Sequence, residues 1–222
     1  MSWNRLAGAA GIGFVLLAFV EFFGPGFPRT GDRAGVLDAY FVDHRSWTLV
    51  TVVVQGIGNA MWLVFLCGLA QLLRRSGSDS AALVAVVGGA LNVAISLTGL
   101  ASIAAISFGV AGGGDPGSTR AFFVFAAMTL VLSNVLLALM AAATMAAPIP
   151  WFRWVSGIAA VVFLVGGGAL ARHGALSPDG AVQFATYGLE LLWTLAASVV
   201  ILRAHAALDA RHEHPATAYS AV

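Results

Sequence analysis

One residue stands out for its chemistry. Glu190 lies near the middle of an apolar run of about 22 residues, 181–202, with no other acid or base close by. A carboxyl group at that depth in a bilayer costs about 2.5–3.5 kcal/mol on insertion scales, so it must face protein and find a use there. Removal from water disfavours a carboxylate's charge. A protonated carboxylic acid in a dry site is both a hydrogen-bond donor and a proton donor. Gln183, Thr186, Tyr187, Glu190 and Thr194 recur at spacings of three and four, which puts them along one broad side of a helix. Trp193 follows Glu190 by three residues and borders the same space. A buried ring there can steady a cationic intermediate through its quadrupole.

Other apolar runs carry matching polar stripes. Thr48, Thr51, Gln55, Asn59 and Trp62 share one face; Asn92, Ser96 and Gly99 share another; Thr129 and Ser133 share a third, with Asn134 beside them. If these faces converge, the bundle holds a small polar layer inside an apolar shell. Asn59, Asn92, Asn134, Gln183 and Tyr187 would then orient a substrate, while Trp62 and Trp193 wall the site. Glu21, near the end of the first apolar run, is a second candidate acid at headgroup depth. The competing explanation is that Asn, Ser and Thr bond helix to helix, each contact worth about 0.6 kcal/mol on average. An acid is a costly way to build such a contact, so Glu190 argues for chemistry.

These residues need elements to hold them, and the composition dictates which. Of 222 residues, 59% are hydrophobic and 9% charged, against about 25% charged in an ordinary soluble domain. Mean hydropathy is +0.90. Too few polar residues exist to cover a water-facing surface, so the solvent is lipid. The net charge of +1 is too small for a nucleic-acid footprint. All 11 basic residues are arginine. Without lysine, Schiff-base retinal, pyridoxal phosphate and P-loop chemistries are excluded. Cys67 is alone and excludes an internal disulfide or a CxxCH haem site.

A hydrocarbon core about 30 Å thick takes about 20 apolar residues per helix. Six runs qualify: 6–23, 47–73, 81–110, the stretch between Arg120 and Arg153, 154–171 and 181–202. None alternates as a barrel strand would. Turn chemistry separates them, in PGFP, RRSGSDS, GGGDPGSTR, PIP and SPDG. The expected fold is an all-α membrane protein: one domain of six transmembrane helices over residues 1–204, then a polar, disordered tail at 205–222.

The first connection adds a short amphipathic surface helix. Val36, Leu37, Tyr40, Phe41 and His44 fall on one face, with Arg33, Asp38 and Arg45 largely elsewhere. Thr30 or Asp32 would cap it. Trp3, Trp47, Trp151 and Trp154 sit near span ends, where indoles anchor at the headgroups. Neither a metal nor a cofactor is expected. His205, His212 and His214 in the tail lack a rigid scaffold, and His44 and His173 lie at span boundaries.

Two segments carry a resemblance: AYFVDHRS before the second span and PIPWFRWVSG opening the fifth. In these and in its helix layout the chain resembles a family of small actinobacterial six-helix integral-membrane proteins of uncharacterised function. The resemblance implies a bacterial cytoplasmic membrane and brings no catalytic residues. In size and intramembrane acids alone the chain is similar to small integral-membrane terpene cyclases, which protonate an alkene or epoxide with a buried carboxylic acid. The arginines divide six (Arg5, Arg74, Arg75, Arg153, Arg203 and Arg211) against five (Arg29, Arg33, Arg45, Arg120 and Arg172), a small bias, and the short RR-containing hairpin and the Arg/His tail assign the N- and C-termini to the cytoplasm.

The expectation is an intramembrane acid–base enzyme, of isomerase or cyclase type, on a lipophilic small molecule. Its partners are the lipid bilayer and that molecule, with no nucleic acid; the sequence leaves a protein partner open. The alternatives are a proton-coupled small-molecule transporter and a non-catalytic membrane partner subunit.

Overall fold

The computed structural model describes residues 3–171 and 173–213, with the side chains of Glu21, Phe22 and residues 205–213 outside that description. Helix α1 (Trp3–Ala18) tightens into a 3₁₀ segment, Phe19–Phe23. Then come α2 (Ala34–Asp43), α3 (Arg45–Arg75), α4 (Asp79–Ala105), α5 (Pro116–Thr144), α6 (Pro150–Gly167) and α7 (Ala181–Glu213). The last turn of α4, Ile106–Val110, is a π-helix. The described residues contain no strand.

Five helices are long and apolar enough to cross a membrane: α3, α4 with its π turn, α5, α6 and α7 as far as Ala204. Their outward faces are hydrocarbon. Leu192, Phe184, Leu164 and Val161 are each more than 60% exposed, an arrangement that suits lipid and not water. The chain is therefore built as a multi-pass helical membrane protein.

The short inter-helix turns force α3 to α6 to run antiparallel in sequence. Asp115 caps α5 by accepting from the Gly117 amide at 3.1 Å, with Pro116 in the first turn. Gly77 makes the α3–α4 turn at φ +79°, a backbone state that costs glycine nothing. Helix α7 packs beside α6, and α1 lies between α3 and α7. Close approach of α1 depends on Gly11, where a Cβ would stand 2.1 Å from Ser198 Oγ and 2.7 Å from Phe65 Cδ2.

Several expectations are corrected. The first apolar run, 6–23, is not one helix. Its α-helix stops at Ala18, 16 residues long, about 24 Å at 1.5 Å per residue. Past the 3₁₀ segment, Gly24 packs directly on the Trp47 indole and leaves no room for a side chain. In α2, Leu37 and Phe41 face inward and are fully buried, but Val36 is half exposed. Neither Thr30 nor Asp32 caps the helix: Asp32 accepts from the Arg29 amide at 2.8 Å, and Arg33 holds the N-cap position. Asp38 and Arg45, which the spacing puts largely off the Val36–His44 face, both turn toward the bundle. Asp38 accepts from Thr119 Oγ1 at 2.7 Å and from the Gly112 amide at 3.2 Å. Arg45 donates to the carbonyls of Ser107 and Phe108. The π turn leaves these carbonyls spare, since Ala111 N bonds back to Ile106 O at 3.0 Å. Thus α2 sits on the ends of α4 and α5 over a small core of Leu37, Phe41, Ile106, Ala111 and Phe123.

Loop 1, the 111–115 turn and the 168–180 segment share one end of the bundle. Asp179 ties two of them, accepting from the Thr30 amide at 2.9 Å and from Thr30 Oγ1 at 3.2 Å. Helix α7 carries on to Glu213, past residue 204 where the composition marks the start of a tail. The side chains of His205, His212 and His214 lie outside the described residues.

Candidate functional site

Helix α7 presents its polar stripe to the bundle interior. Gln183, Thr186, Glu190, Thr194 and Ser198 are all buried. Thr186 and Ser198 spend their hydroxyls on the carbonyls one turn back, Val182 O and Thr194 O. Glu190 differs. Its side chain is 9% exposed, and among the described residues no hydrogen-bond or ion-pair partner meets its carboxyl group. One turn on, the buried Thr194 hydroxyl also lacks a partner.

The aromatic residues set the depth of this site. Phe14, Trp62, Phe65, Trp193 and Phe152 form a chain of ring contacts, with centroids 6.2, 6.0, 6.3 and 6.2 Å apart in that order. It links α1, α3, α7 and α6. Trp193 is pinned by an Nε1 bond to Ser156 Oγ at 3.2 Å. Phe65 against Trp193 fixes α3 on α7, and Leu66 against Gly89 fixes α3 on α4. From those contacts, one turn toward the loop-1 end leads to Trp62 on α3, Asn92 on α4 and Glu190 on α7. Trp62 and Glu190 each lie one turn from the Phe65–Trp193 contact. Trp62 Nε1 and Asn92 Oδ1 are both buried without a partner. The bundle interior thus holds a spare donor, a spare acceptor, a hydroxyl and a carboxyl. Buried polar groups are almost always bonded, so unused ones inside the bundle favour a polar guest.

The other expected residues divide. Asn134 and Gln183 are brought together: Asn134 Nδ2 donates to Gln183 Oε1 at 3.0 Å, joining α5 to α7. Asn59 is buried but turns back on its own helix, donating to Gln55 O at 2.9 Å. Tyr187 is half-buried and leaves the stripe. It lines an open apolar groove of about 400 Å³ between α1 and α7, with Val15, Phe19, Leu191 and Leu195 among its neighbours. Glu21, the second candidate acid, has its side chain outside the described residues. His44 packs edge-on against Tyr40 at 4.7 Å, and His173 lies near Gly31. No group of three metal-ligating side chains occurs among the described residues.

Sequence reasoning missed Phe65, Phe152 and Ser156. Phe65 is legible afterwards, three residues beyond Trp62 on the same face. Ser156 gave no signal, since a lone serine in an apolar run looks like any other small residue.

Comparison with protein-family models, with curated proteins and with solved structures finds no match to the chain.

Proposed function

We propose that the chain is an intramembrane acid–base enzyme, of isomerase or cyclase type, acting on a lipophilic small molecule. The observation that carries this reading is Glu190: an inward-facing carboxyl group without a protein partner, one turn from the unused Thr194 hydroxyl. As a pure helix contact it would be satisfied. As a proton donor it must be available.

In this reading Glu190 donates its proton to one carbon of a double bond. The electron-rich faces of Trp62 and Trp193 steady the cation that forms. The carboxylate then accepts a proton from a neighbouring carbon, leaving an isomer of unchanged formula. Asn92 and Thr194 orient any polar group on the substrate. The Asn134–Gln183 bond positions α5 against α7 beside it. Tyr187 and the groove lie on the side from which an apolar chain arrives.

The finer topology belongs to the same proposal. Six spans form if α1 with its 3₁₀ extension crosses as the first, and α2 then lies at the outer surface. The arginine balance supports cytoplasmic N- and C-termini in a bacterial cytoplasmic membrane.

The test incubates membranes containing the chain with linear polyunsaturated isoprenoids and their epoxides. The expected result is a product of identical mass and shifted retention that disappears in Glu190→Gln. Full turnover by Glu190→Gln overturns the proposal.

A further inference from the structure

The polar groups of the bundle are not spread evenly along it. On α3, the inner face carries Thr48, Thr51, Gln55 and Asn59 at spacings of three and four, from the loop-1 end down to Trp62. Beyond Trp62 the same face becomes Leu66, Leu69 and Leu73, all buried. Helix α4 repeats the asymmetry. Its buried polar side chains, Asn92, Ser102 and Ser107, lie toward the loop-1 end, and Ala82, Ala85 and Gly88 fill the other half. The polar half is also undersatisfied. Of the seven buried polar side-chain atoms without partners among the described residues, Trp47 Nε1, Thr51 Oγ1, Trp62 Nε1, Asn92 Oδ1 and Ser107 Oγ lie in this half or at its edge, and Gln71 Oε1 and Thr194 Oγ1 lie beyond it. Helix-to-helix bonding would use up these groups. A route for protons needs them free, because each step requires a donor and acceptor able to take water or pass a proton on.

We infer that Glu190 exchanges its proton with the loop-1 face of the membrane alone, along the polar inner face of α3, and is sealed from the opposite face by the Leu66, Leu69 and Leu73 side. This rests on Glu190 being the proton donor proposed above, but it needs no turnover. Among the described residues, no competing ionisable side chain of the spans faces the route. Residues 6–18 of α1, 46–73 of α3, 80–110 of α4, 121–144 of α5 and 154–167 of α6 contain no Asp, Glu, His, Lys or Arg. Cys67 on α3 points outward, and Tyr187 on α7 is half-buried at the groove.

Carbodiimides add to protonated buried carboxyl groups, so labelling of Glu190 reads the route directly. The full chain is placed in sealed membrane vesicles of both orientations, in a Cys67→Ala background. Gly35→Cys, where a Cβ meets nothing within 4 Å, reports the loop-1 face through an impermeant maleimide. A membrane-impermeant quaternary-ammonium carbodiimide is then added outside, and the Glu190 peptide is weighed by mass spectrometry. The expected result is adduct at Glu190 only when loop 1 faces the reagent. Asn59→Leu slows that labelling about tenfold, the worth of one hydrogen bond. It leaves labelling by membrane-permeant dicyclohexylcarbodiimide unchanged, which also shows that the variant is folded. Adduct from the opposite face, or equally from both as alternating access gives, overturns the inference and spares Glu190 as an acid. No adduct with either reagent overturns both readings.

Discussion

Asn134 on α5 and Gln183 on α7 meet in a buried amide–amide hydrogen bond of 3.0 Å across 49 residues of chain. Between them the chain turns back through α6, so the bond joins the first and last helices of the α5–α6–α7 unit. Interhelical bonds in bilayers are worth about 0.6 kcal/mol on average and up to about 1.7. A double-mutant cycle of Asn134→Leu and Gln183→Leu is expected to return a coupling energy in that range. Reversible unfolding in bicelles measures it, and coupling indistinguishable from zero would mean the bond is made only incidentally.

Glycines divide by what surrounds them. A methyl group at Gly11 would collide with the Phe65 ring and the Ser198 hydroxyl, whereas one at Gly56 would meet nothing within 4 Å. Gly11→Ala is expected to destabilise by about 1–3 kcal/mol, as overpacking does. Gly56→Ala is expected to stabilise by about 0.5–1 kcal/mol, through helix propensity alone. The opposite signs are the test, read from the two unfolding curves side by side.

The tie between loop 1 and the 168–180 segment is pH-dependent. Burial pushes the Asp179 carboxyl up, but bonds from the Ser177 side chain and from Thr30 outweigh it and hold the group below the usual aspartate range. A depressed carboxyl contributes its full stability above the unfolded-state value and loses it as pH falls through the folded value. Loop 1 should therefore stay docked through mild acid and release only below the ordinary aspartate pKa. A spin label at Gly26→Cys, in a Cys67→Ala background, should gain mobility at that point. Thr30→Val, which removes one of the bonds to Asp179, should move the release to higher pH. Mobility that ignores pH in both chains would refute the tie.

Much of this was legible from spacing, and the rest failed for physical reasons. Thr186, Glu190 and Thr194 could be assigned to an inner face because a long apolar helix in lipid must hide whatever is polar. Tyr187 shares their periodicity but sits at the edge of a broad stripe, where a helical wheel cannot separate interior from groove. Asn59 could be placed at mid-span, but its choice of Gln55 O over a neighbouring helix is a matter of rotamer. Spacing alone puts Asp38 off the apolar face of α2 and names no partner for it. Its partners, Gly112 and Thr119, come from the far end of the next hairpin. The π turn at 106–110 leaves no mark in its own residues. It is stabilised by Arg45, which is 62 positions away from Ser107.

Glu190 makes stability and function pull in opposite directions. An unpartnered polar group in a buried layer costs about 1–3 kcal/mol, because its lost hydration is never replaced. Replacing it by an apolar side chain of similar size removes that cost and leaves the aromatic wall of Trp62, Phe65 and Trp193 in place. Glu190→Leu is therefore expected to stabilise the bundle while abolishing proton transfer, the usual signature of a site kept for activity and not for folding. Glu190→Gln should leave stability near the original, since it keeps an unmet polar group, and should also be inactive. Unfolding in bicelles ranks the three chains. If Glu190→Leu instead destabilises by several kcal/mol, the carboxyl is holding helices together, and the chain is better read as a partner subunit bonded through that residue.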